Sequence, residues 1–335
     1  MATVDEPLQL VIAFVAHHLS LGCHHIWLFL DRENPEVEAA LADHPKLSVT
    51  RTDASYWDAI GEHPAVHVRR QLFNAQRAYR EASGGPNGVD WLVHCDGDEF
   101  LIMEDVDRSL AELAALPGSL PSLRILNSER AWAAGAPRAH VFDGLERRPF
   151  RRRRGAMVDV FGEQSLFLRQ GVLGYTAGKS FVRTGRPLFL GIHRPKRRAQ
   201  DGWADHESRV MEWDSIFTRL IHFDGLTPFH WITKLRRKAT DQPSPSVLQA
   251  RVGEERMMQI ETLCAAATSE LDARRLHDDL RVLQPELITQ LHALGQVGPI
   301  PIDIPSAIRE SFPDLHLDLS EAGYDTWVRQ KLIPQ

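Results

Sequence analysis

The chain has 335 residues, of which 43% are hydrophobic and 25% are charged, and its formal net charge at pH 7 is −6. This length fits one large α/β domain with additions or two domains, and the composition is ordinary for a soluble globular protein. The negative charge gives no indication of nucleic-acid binding, and no apolar run reaches the roughly 18 residues that a membrane-spanning helix needs.

The chain start and the cysteines favour a cytoplasmic protein. Residues 1–10 lack a basic stretch followed by an apolar one, so no signal peptide is expected. Cys23, Cys95 and Cys264 are far apart and odd in number, which predicts neither a zinc site nor a disulfide framework. Peripheral contact with the inner face of a membrane stays open.

The first fifty residues predict strands and helices in alternation. The expected elements are a short strand 2–4, a helix 8–21 ended by Gly22, a strand 25–30, a helix 34–42 and a strand 47–50. Asp5 and Glu6 follow the first strand, and Asp31 ends the second. Strands that end on acids within a β-α-β pattern predict a parallel sheet whose carboxylates face a ligand crevice.

The remaining elements extend this α/β pattern. The expected order is a loop 53–64, a helix 65–82, a strand 91–95, a helix 107–115, a strand 122–126, strands near 166–168, 179–183 and 187–192, a helix 205–217, a strand 219–223, a helix 228–239, two packed helices within 244–295 and a final helix from about 321.

The apolar run 91–95 ends in Asp96, Gly97, Asp98 and Glu99. A buried unpaired carboxylate is costly, so these acids are expected where the strand leaves the sheet. Two carboxylates separated by one glycine suit a hard divalent cation that keeps positions for water or phosphate oxygens. Asp98 is the candidate direct ligand, and Asp96 contacts the metal through water or holds ribose hydroxyls. A polar strand exit without a metal is the alternative interpretation.

A histidine later in the chain is a candidate third metal ligand. His222 ends a short apolar strand and is followed by Asp224 and Gly225. A lone histidine that serves only the fold is the alternative interpretation.

Several cations are candidates for phosphate binding. Arg69, Lys179 and Arg183 could bind phosphate oxygens, and the alternative for each is an ordinary surface charge. The arginine run 151–154 could hold an acidic acceptor or a membrane surface, with a solvated strand face as its alternative.

Three stretches of the chain carry a pattern that occurs together in one family. The first stretch, residues 14–31, contains a histidine, a glycine, a strand and a final acid. The second, residues 91–100, contains Asp-x-Asp-Glu-Phe. The third, residues 221–223, contains a histidine and precedes an aromatic-bearing helix with Lys234. Together they resemble the family 2-like and family 92-like glycosyltransferases, and the resemblance covers roughly residues 3–240.

The resemblance implies a GT-A fold, which is a mixed, mainly parallel α/β sheet with flanking helices. It also implies a nucleotide-diphospho-sugar donor, with a UDP-sugar favoured, a cation such as Mn²⁺ or Mg²⁺, and inversion at the anomeric carbon. By matching position, Asp5 and Glu6 contact the donor, Asp31 holds the nucleoside, and Asp96 with Asp98 forms the metal and donor motif.

The chain departs from the family pattern at two places. Asp5-Glu6 stands where the family usually has Asn-Glu, and residues 31–34 stand where it has an asparagine-rich loop. These differences leave the base and the sugar preference open.

An inverting transfer needs a general base near the acceptor hydroxyl. Asp205, Glu207 and Glu129 are the candidates because each follows the Asp-Gly-Asp motif near the start of an element. Asp205 is the favoured one, and helix capping is its alternative role.

The expected function is a metal-dependent glycosyltransferase of polysaccharide biosynthesis, with a glycan or another hydroxyl compound as acceptor. One alternative is a GT-A-like module that binds a nucleotide-sugar without catalysis. A nucleotidyltransferase is disfavoured because residues 4–10 lack the glycine and lysine that would hold a triphosphate. The expected domains are a GT-A domain at 1–240 and a C-terminal helical extension at 241–335.

Overall fold

A computed structural model of the chain describes residues 1–84, 88–150, 154–197, 210–240 and 245–332. Over these ranges the protein is mixed α/β, with parallel and antiparallel strand pairs and flanking helices. Within the same ranges, no helix combines the length and the apolar character needed to cross a membrane.

The strands are short except for two. In chain order they are β1 (Ala2–Val4), β2 (Ile26–Leu30), β3 (Leu47–Arg51), β4 (Trp91–Val93), β5 (Glu99–Ile102), β6 (Ser122–Ala133), β7 (Leu145–Arg147), β8 (Lys179–Arg183), β9 (Leu188–Phe189), β10 (Lys196–Arg197), β11 (Glu212–His222), β12 (Val282–Leu283) and β13 (Val297–Pro299).

The helices precede, separate and follow these strands. In chain order they are α1 (Leu8–Ser20), α2 (Pro35–Leu41), α3 (Ala54–Ile60), α4 (His67–Gly84), α5 (Val106–Ala115), α6 (Arg154–Phe161), α7 (Pro228–Thr240), α8 (Pro245–Val252), α9 (Glu254–Cys264), α10 (Glu270–Arg281), α11 (Pro285–Ala293), α12 (Ile304–Ser311) and α13 (Glu321–Leu332).

The chain divides into two compact units. Unit 1 comprises Met1–Leu126, Ala177–Leu220 and Asp303–His316, and unit 2 comprises Asn127–Thr176, Ile221–Ile302 and Leu317–Gln335. The long strands β6 and β11 contribute residues to both. The expected boundary at residue 240 remains a prediction.

Unit 1 begins with a parallel three-stranded sheet in the order β1-β2-β3, in which Thr3 pairs with Phe29 and Phe29 with Thr50. All five residues of β2 are buried, as expected for a strand covered on both faces. The neighbouring core is largely aromatic and includes Trp27, Tyr56 and Trp57.

A second set of strands in unit 1 surrounds the connection from β4 to β5. Strand β8 pairs antiparallel with β4 on one edge, Leu92 opposite Val182, and with the start of β6 on the other. Strand β11 lies next to β5 in the sheet. This arrangement places the start of β8, at Lys179, close to the residues that follow β4.

Unit 2 contains an antiparallel ladder of β6, β7 and β13, in which Glu129 pairs with Arg147 and Arg147 with Val297. Strand β12 adds to the end of β6 in parallel. Helices α7, α9 and α10 pack together over a core that includes Trp231 and Ile260.

The predicted β-α-β-α-β start of the chain is confirmed, with boundaries that differ by at most one residue from those expected. The helices expected at 65–82, 107–115 and 228–239 are confirmed as α4, α5 and α7, and the final helix begins at Glu321 as expected.

Four expected elements are wrong. The loop 53–64 contains α3, which begins where the Asp53 carboxylate accepts the Tyr56 N–H at 3.0 Å and ends at Gly61 with φ of 76°. The strand expected at 166–168 is part of a 3-10 helix, Gly162–Phe167. The described part of the helix expected at 205–217 is instead the start of β11, and the pair of helices expected in 244–295 is four helices with β12 among them.

Candidate functional site

The acidic motif occupies the connection between two strands of unit 1, as the sequence predicts. Strand β4 ends at Val93, and β5 begins at Glu99, so Asp96, Gly97 and Asp98 form the turn. Asp98 is 4% exposed and Glu99 is fully buried. The backbone N–H of Asp96 donates to Glu99 Oε2 at 2.7 Å, so Glu99 braces the turn.

Gly97 allows the turn to lie against the end of β1. A Cβ atom on Gly97 would lie 3.0 Å from Cγ1 of Val4 and 3.1 Å from Cγ of Glu6. The first strand and the Asp-Gly-Asp motif, which the sequence separates by about ninety residues, are therefore neighbours.

Lys179, a predicted phosphate ligand, is buried against this turn. Its Nζ atom lies 3.1 Å from Asp96 Oδ2 and 3.2 Å from Glu99 Oε2. Burial alone would lower the pKa of Lys179, but the carboxylates of Asp96 and Glu99 outweigh burial and raise it above its ordinary value. The ammonium ion is therefore fixed in its charged form within the acidic motif.

The Asp96 carboxylate is fixed by contacts with several side chains. Burial disfavours its charged form, but the Lys179 ammonium group outweighs that effect and holds the pKa of Asp96 well below the ordinary value. The Gln71 side chain donates to Asp96 Oδ1 at 2.9 Å. Asp96 is thus a fixed carboxylate whose two oxygens already have protein partners.

Asp31 lies at the end of β2, but its carboxylate is already occupied. Arg70 donates to Oδ1 at 2.6 Å and to Oδ2 at 2.7 Å, and His67 Nδ1 lies 3.0 Å from Oδ2. The Asp31 side chain is only 3% exposed. Burial would raise its pKa, but the contacts with Arg70 and His67 hold it below its ordinary range.

The other predicted donor residues lie near the same strand ends or on α4. Asp5 pairs with Arg32 at 2.8 Å, and the backbone carbonyl of Glu6 accepts the Asn34 side-chain N–H at 3.1 Å. Arg69 is exposed on α4.

In unit 2, the strand-ending histidine is followed by a buried acid. His222 is 8% exposed, Asp224 is fully buried, and a ligand atom of each lies within 4.8 Å of the other. An imidazole nitrogen and a carboxylate oxygen are both donors that Mn²⁺ accepts, so this pair is chemically suited to a metal.

Three cationic side chains also lie against the Asp224 carboxylate. Arg256 lies 2.6 Å and Arg281 3.3 Å from Oδ2, and Lys234 lies 3.2 Å from Oδ1. Burial would raise the pKa of Asp224, but Arg256, Lys234 and the other positive groups hold it well below its ordinary value.

Sequence reasoning missed Arg70, Gln71 and Asp224 as site residues. For Arg70 and Gln71 the signal is the polar stripe on α4. This helix is amphipathic, and two of its polar side chains, Gln71 and Asn74, are buried. For Asp224 the signal is the same as for Asp96, namely an acid directly after an apolar strand.

Of the three candidate general bases, the described residues include only Glu129. Asp205 and Glu207 lie outside the described residues, as do residues 151–153 of the arginine run. Glu129 is fully buried in β6, and its two carboxylate oxygens accept the backbone N–H groups of Leu173 and Gly174 at 2.7 Å and 2.6 Å.

The histidines near the chain start serve the fold. His17 Nε2 lies 2.6 Å from the Leu101 carbonyl oxygen, and His18 Nδ1 lies 2.7 Å from that of Phe14. Burial lowers the pKa of His17 to about 4 and that of His18 well below its ordinary value, so both rings are neutral packing residues.

No model of a known protein family matches the chain, and no curated protein matches it.

Proposed function

We propose that this protein is a metal-dependent glycosyltransferase with a GT-A fold. It moves a sugar from a nucleotide-diphospho-sugar, a UDP-sugar in the favoured case, to a hydroxyl group of a glycan or similar acceptor, with inversion. The observation that carries the proposal is the buried Asp96-Gly97-Asp98 turn, which lies against the end of β1 and holds the charged Lys179.

In this proposal Asp98 is the carboxylate ligand of a divalent cation, Mn²⁺ or Mg²⁺, and His222 remains its predicted histidine ligand. When bound, the cation neutralises charge on the leaving diphosphate. Asp96 orients the ribose or the metal-bound water, and its own position is fixed by Lys179 and Gln71.

The remaining predicted residues keep their proposed roles. Asp5, Glu6, Asp31 and Arg69 contact the donor, and Asp205 removes the acceptor proton. Because Arg70 and His67 occupy the Asp31 carboxylate, we propose that the nucleoside meets the Asp31–Arg70 pair as a unit. A cytoplasmic location, based on the cysteine usage, belongs to the same proposal.

A thermal-shift titration with nucleoside diphosphates, with and without Mn²⁺, tests the function. A ligand at 100 times its dissociation constant stabilises the folded state by about 2.7 kcal/mol, which is easily measured as a rise in melting temperature. We expect a metal-dependent rise for the wild type and its loss in Asp98→Asn. Asp58→Asn, which changes an exposed carboxylate, is the matched control.

The proposal is wrong if no nucleoside diphosphate raises the melting temperature with Mn²⁺, or if Asp98→Asn keeps the full response. A triphosphate that stabilises the protein more than any diphosphate would favour a nucleotidyltransferase.

A nucleotide-sugar-binding module without catalysis is the second candidate. It is favoured by the internal ion pairs of Asp31 and Asp96, which satisfy these carboxylates without a ligand. Binding of a nucleotide-sugar without hydrolysis or transfer, over a panel of acceptors, would select this candidate.

A further inference from the structure

We propose that Tyr175 is a sugar-binding residue whose ring stacks against a pyranose, and that Glu129 is the positioning residue that presents it. This inference rests on the proposed function, because a glycosyltransferase must bind a sugar ring in its donor and, for a glycan, in its acceptor. The loop that carries Tyr175 lies entirely in unit 2, and the contacts that fix this loop support the inference.

The loop is fixed by a buried charge. Glu129 is fully buried, and each of its carboxylate oxygens accepts one backbone N–H, from Leu173 and from Gly174. Its cross-strand partner on β7 is the buried Arg147, whose pKa burial lowers to about 10 against the opposing effect of Glu129. Burying a carboxylate is costly unless hydrogen bonds and an opposite charge compensate it. Here the hydrogen bonds come from two consecutive backbone N–H groups of the loop, and the opposite charge comes from Arg147 on the neighbouring strand.

Two amide side chains fix the same loop from its other sides. Asn127 donates to the Tyr175 carbonyl at 2.6 Å, and Gln259 donates to the Leu173 carbonyl at 3.0 Å. Gln259 in turn accepts a hydrogen bond from Arg256 at 2.8 Å, and Arg256 is bonded to Asp224. The loop and the His222–Asp224 pair are therefore connected by one continuous set of hydrogen bonds.

The loop brings Tyr175 to the strand-ending histidine. A Cβ atom on Gly174 would lie 2.7 Å from Glu129 Oε1, so glycine at this position lets the backbone meet the Glu129 carboxylate, and the same Cβ position lies 3.7 Å from His222 Nδ1. The rings of Tyr175 and His222 lie 5.7 Å apart between centroids, tilted by 50°. Tyr175 is half-buried, which leaves part of the side chain accessible to a ligand.

A rigid, partly exposed aromatic ring is suited to a pyranose. The C–H groups on one face of the sugar pack on the ring, and tyrosine gives up little conformational entropy because it has few rotatable bonds. A ring that is already fixed by its backbone loses less freedom on binding, and preorganisation of this kind increases affinity. The pyranose belongs either to the donor or to the acceptor, and the two arms of the test separate them.

The test compares wild type, Tyr175→Phe, Tyr175→Ala, Glu129→Gln and the control Trp213→Ala, which removes an aromatic side chain that is 52% exposed on β11. Calorimetry gives dissociation constants for UDP and for a panel of UDP-sugars with Mn²⁺. Saturation-transfer NMR measures contact with a panel of methyl pyranosides. Melting temperatures confirm that each variant is folded.

We expect Tyr175→Ala to bind UDP as the wild type does and to lose at least about fivefold in affinity for the UDP-sugar, or to lose the NMR contact with the methyl pyranoside. Loss in the first arm assigns the donor sugar, and loss in the second assigns the acceptor. Tyr175→Phe and Trp213→Ala should keep the wild-type binding of the sugar. Folded Glu129→Gln should lose sugar binding although its tyrosine is intact.

Wild-type behaviour of Tyr175→Ala in both arms would overturn the inference. If UDP fails to bind the wild type and no other nucleoside diphosphate raises its melting temperature, the proposed function is wrong, and the methyl pyranoside arm still decides whether Tyr175 contacts a sugar.

Discussion

At the scale of single residues, three carboxylates that follow strands are paired with cationic side chains. Asp31 is paired with Arg70, Asp96 with Lys179, and Asp224 with Arg256. The acids could be placed at strand ends from the sequence because apolar strands expel charge. Their partners could not, because Lys179 follows Asp96 by 83 residues and only the pairing of β8 with β4 brings the two together.

Lys179→Met tests the strength of the pairing at the acidic turn. The variant leaves the buried Glu99 and the partly buried Asp96 without their cation, so the free energy of unfolding should fall by about 3 kcal/mol or more. Urea denaturation at pH 7 measures the change, and Lys46→Met, on an exposed lysine, should cost little. A loss no larger than that of the control would mean that the pairing contributes little net stability.

At the scale of elements, sequence patterns identified long helices and buried strands and failed where local and tertiary signals compete. Helix α3 was missed although Asp53 and Gly61 are typical capping residues, because its seven residues are too few to show helical periodicity. The start of β11 was read as helix although it contains Trp213, Ile216 and Phe217, which favour strands. A side chain from another element also helps to fix this strand, since Glu112 of α5 accepts the Ile216 N–H at 2.7 Å.

Helix α10 offers a test at this scale. Ser269 accepts the Asp272 N–H at 3.1 Å, and the Asp272 carboxylate bonds back to the Ser269 N–H, which completes a capping box. Ser269→Ala should lower the free energy of unfolding by about 1 kcal/mol.

The control for this prediction is Ser119→Ala. Ser119 is an exposed serine in the turn that follows α5. Chemical denaturation of both variants should show the larger loss for Ser269→Ala, and equal losses would contradict the assigned role of the cap.

At the scale of the whole molecule, buried neutral histidines are spread over both units. Burial lowers the pKa of His17 to about 4, and that of His94 and His277 to about 3. Each ring stays neutral in the folded protein at pH values where it takes up a proton in the unfolded chain, so acid favours unfolding.

The predicted pH dependence of stability follows from the lowered pKa values of these histidines. The stabilising contribution of each ring is complete above the unfolded pKa near 6.5 and is lost as the pH falls toward the folded value, by about 2 kcal/mol per ring between pH 7 and pH 5. Urea unfolding at the two pH values should therefore show a steep loss of stability. His277→Asn should reduce that slope, whatever its effect on stability at pH 7, and an unchanged slope would contradict the role of this ring.

By itself the sequence determined the alternation of strands and helices in the first fifty residues and the acidic strand ends. These follow from local rules, namely apolar periodicity, helix-ending glycine and the cost of burying a charge, which act over a few residues. Tertiary structure alone decided that Lys179 and Gln71 fix Asp96, that Arg70 occupies Asp31, and that Glu129 anchors the Tyr175 loop. Those partners are distant in the sequence, and only the strand pairing and helix packing within each unit bring their side chains into contact.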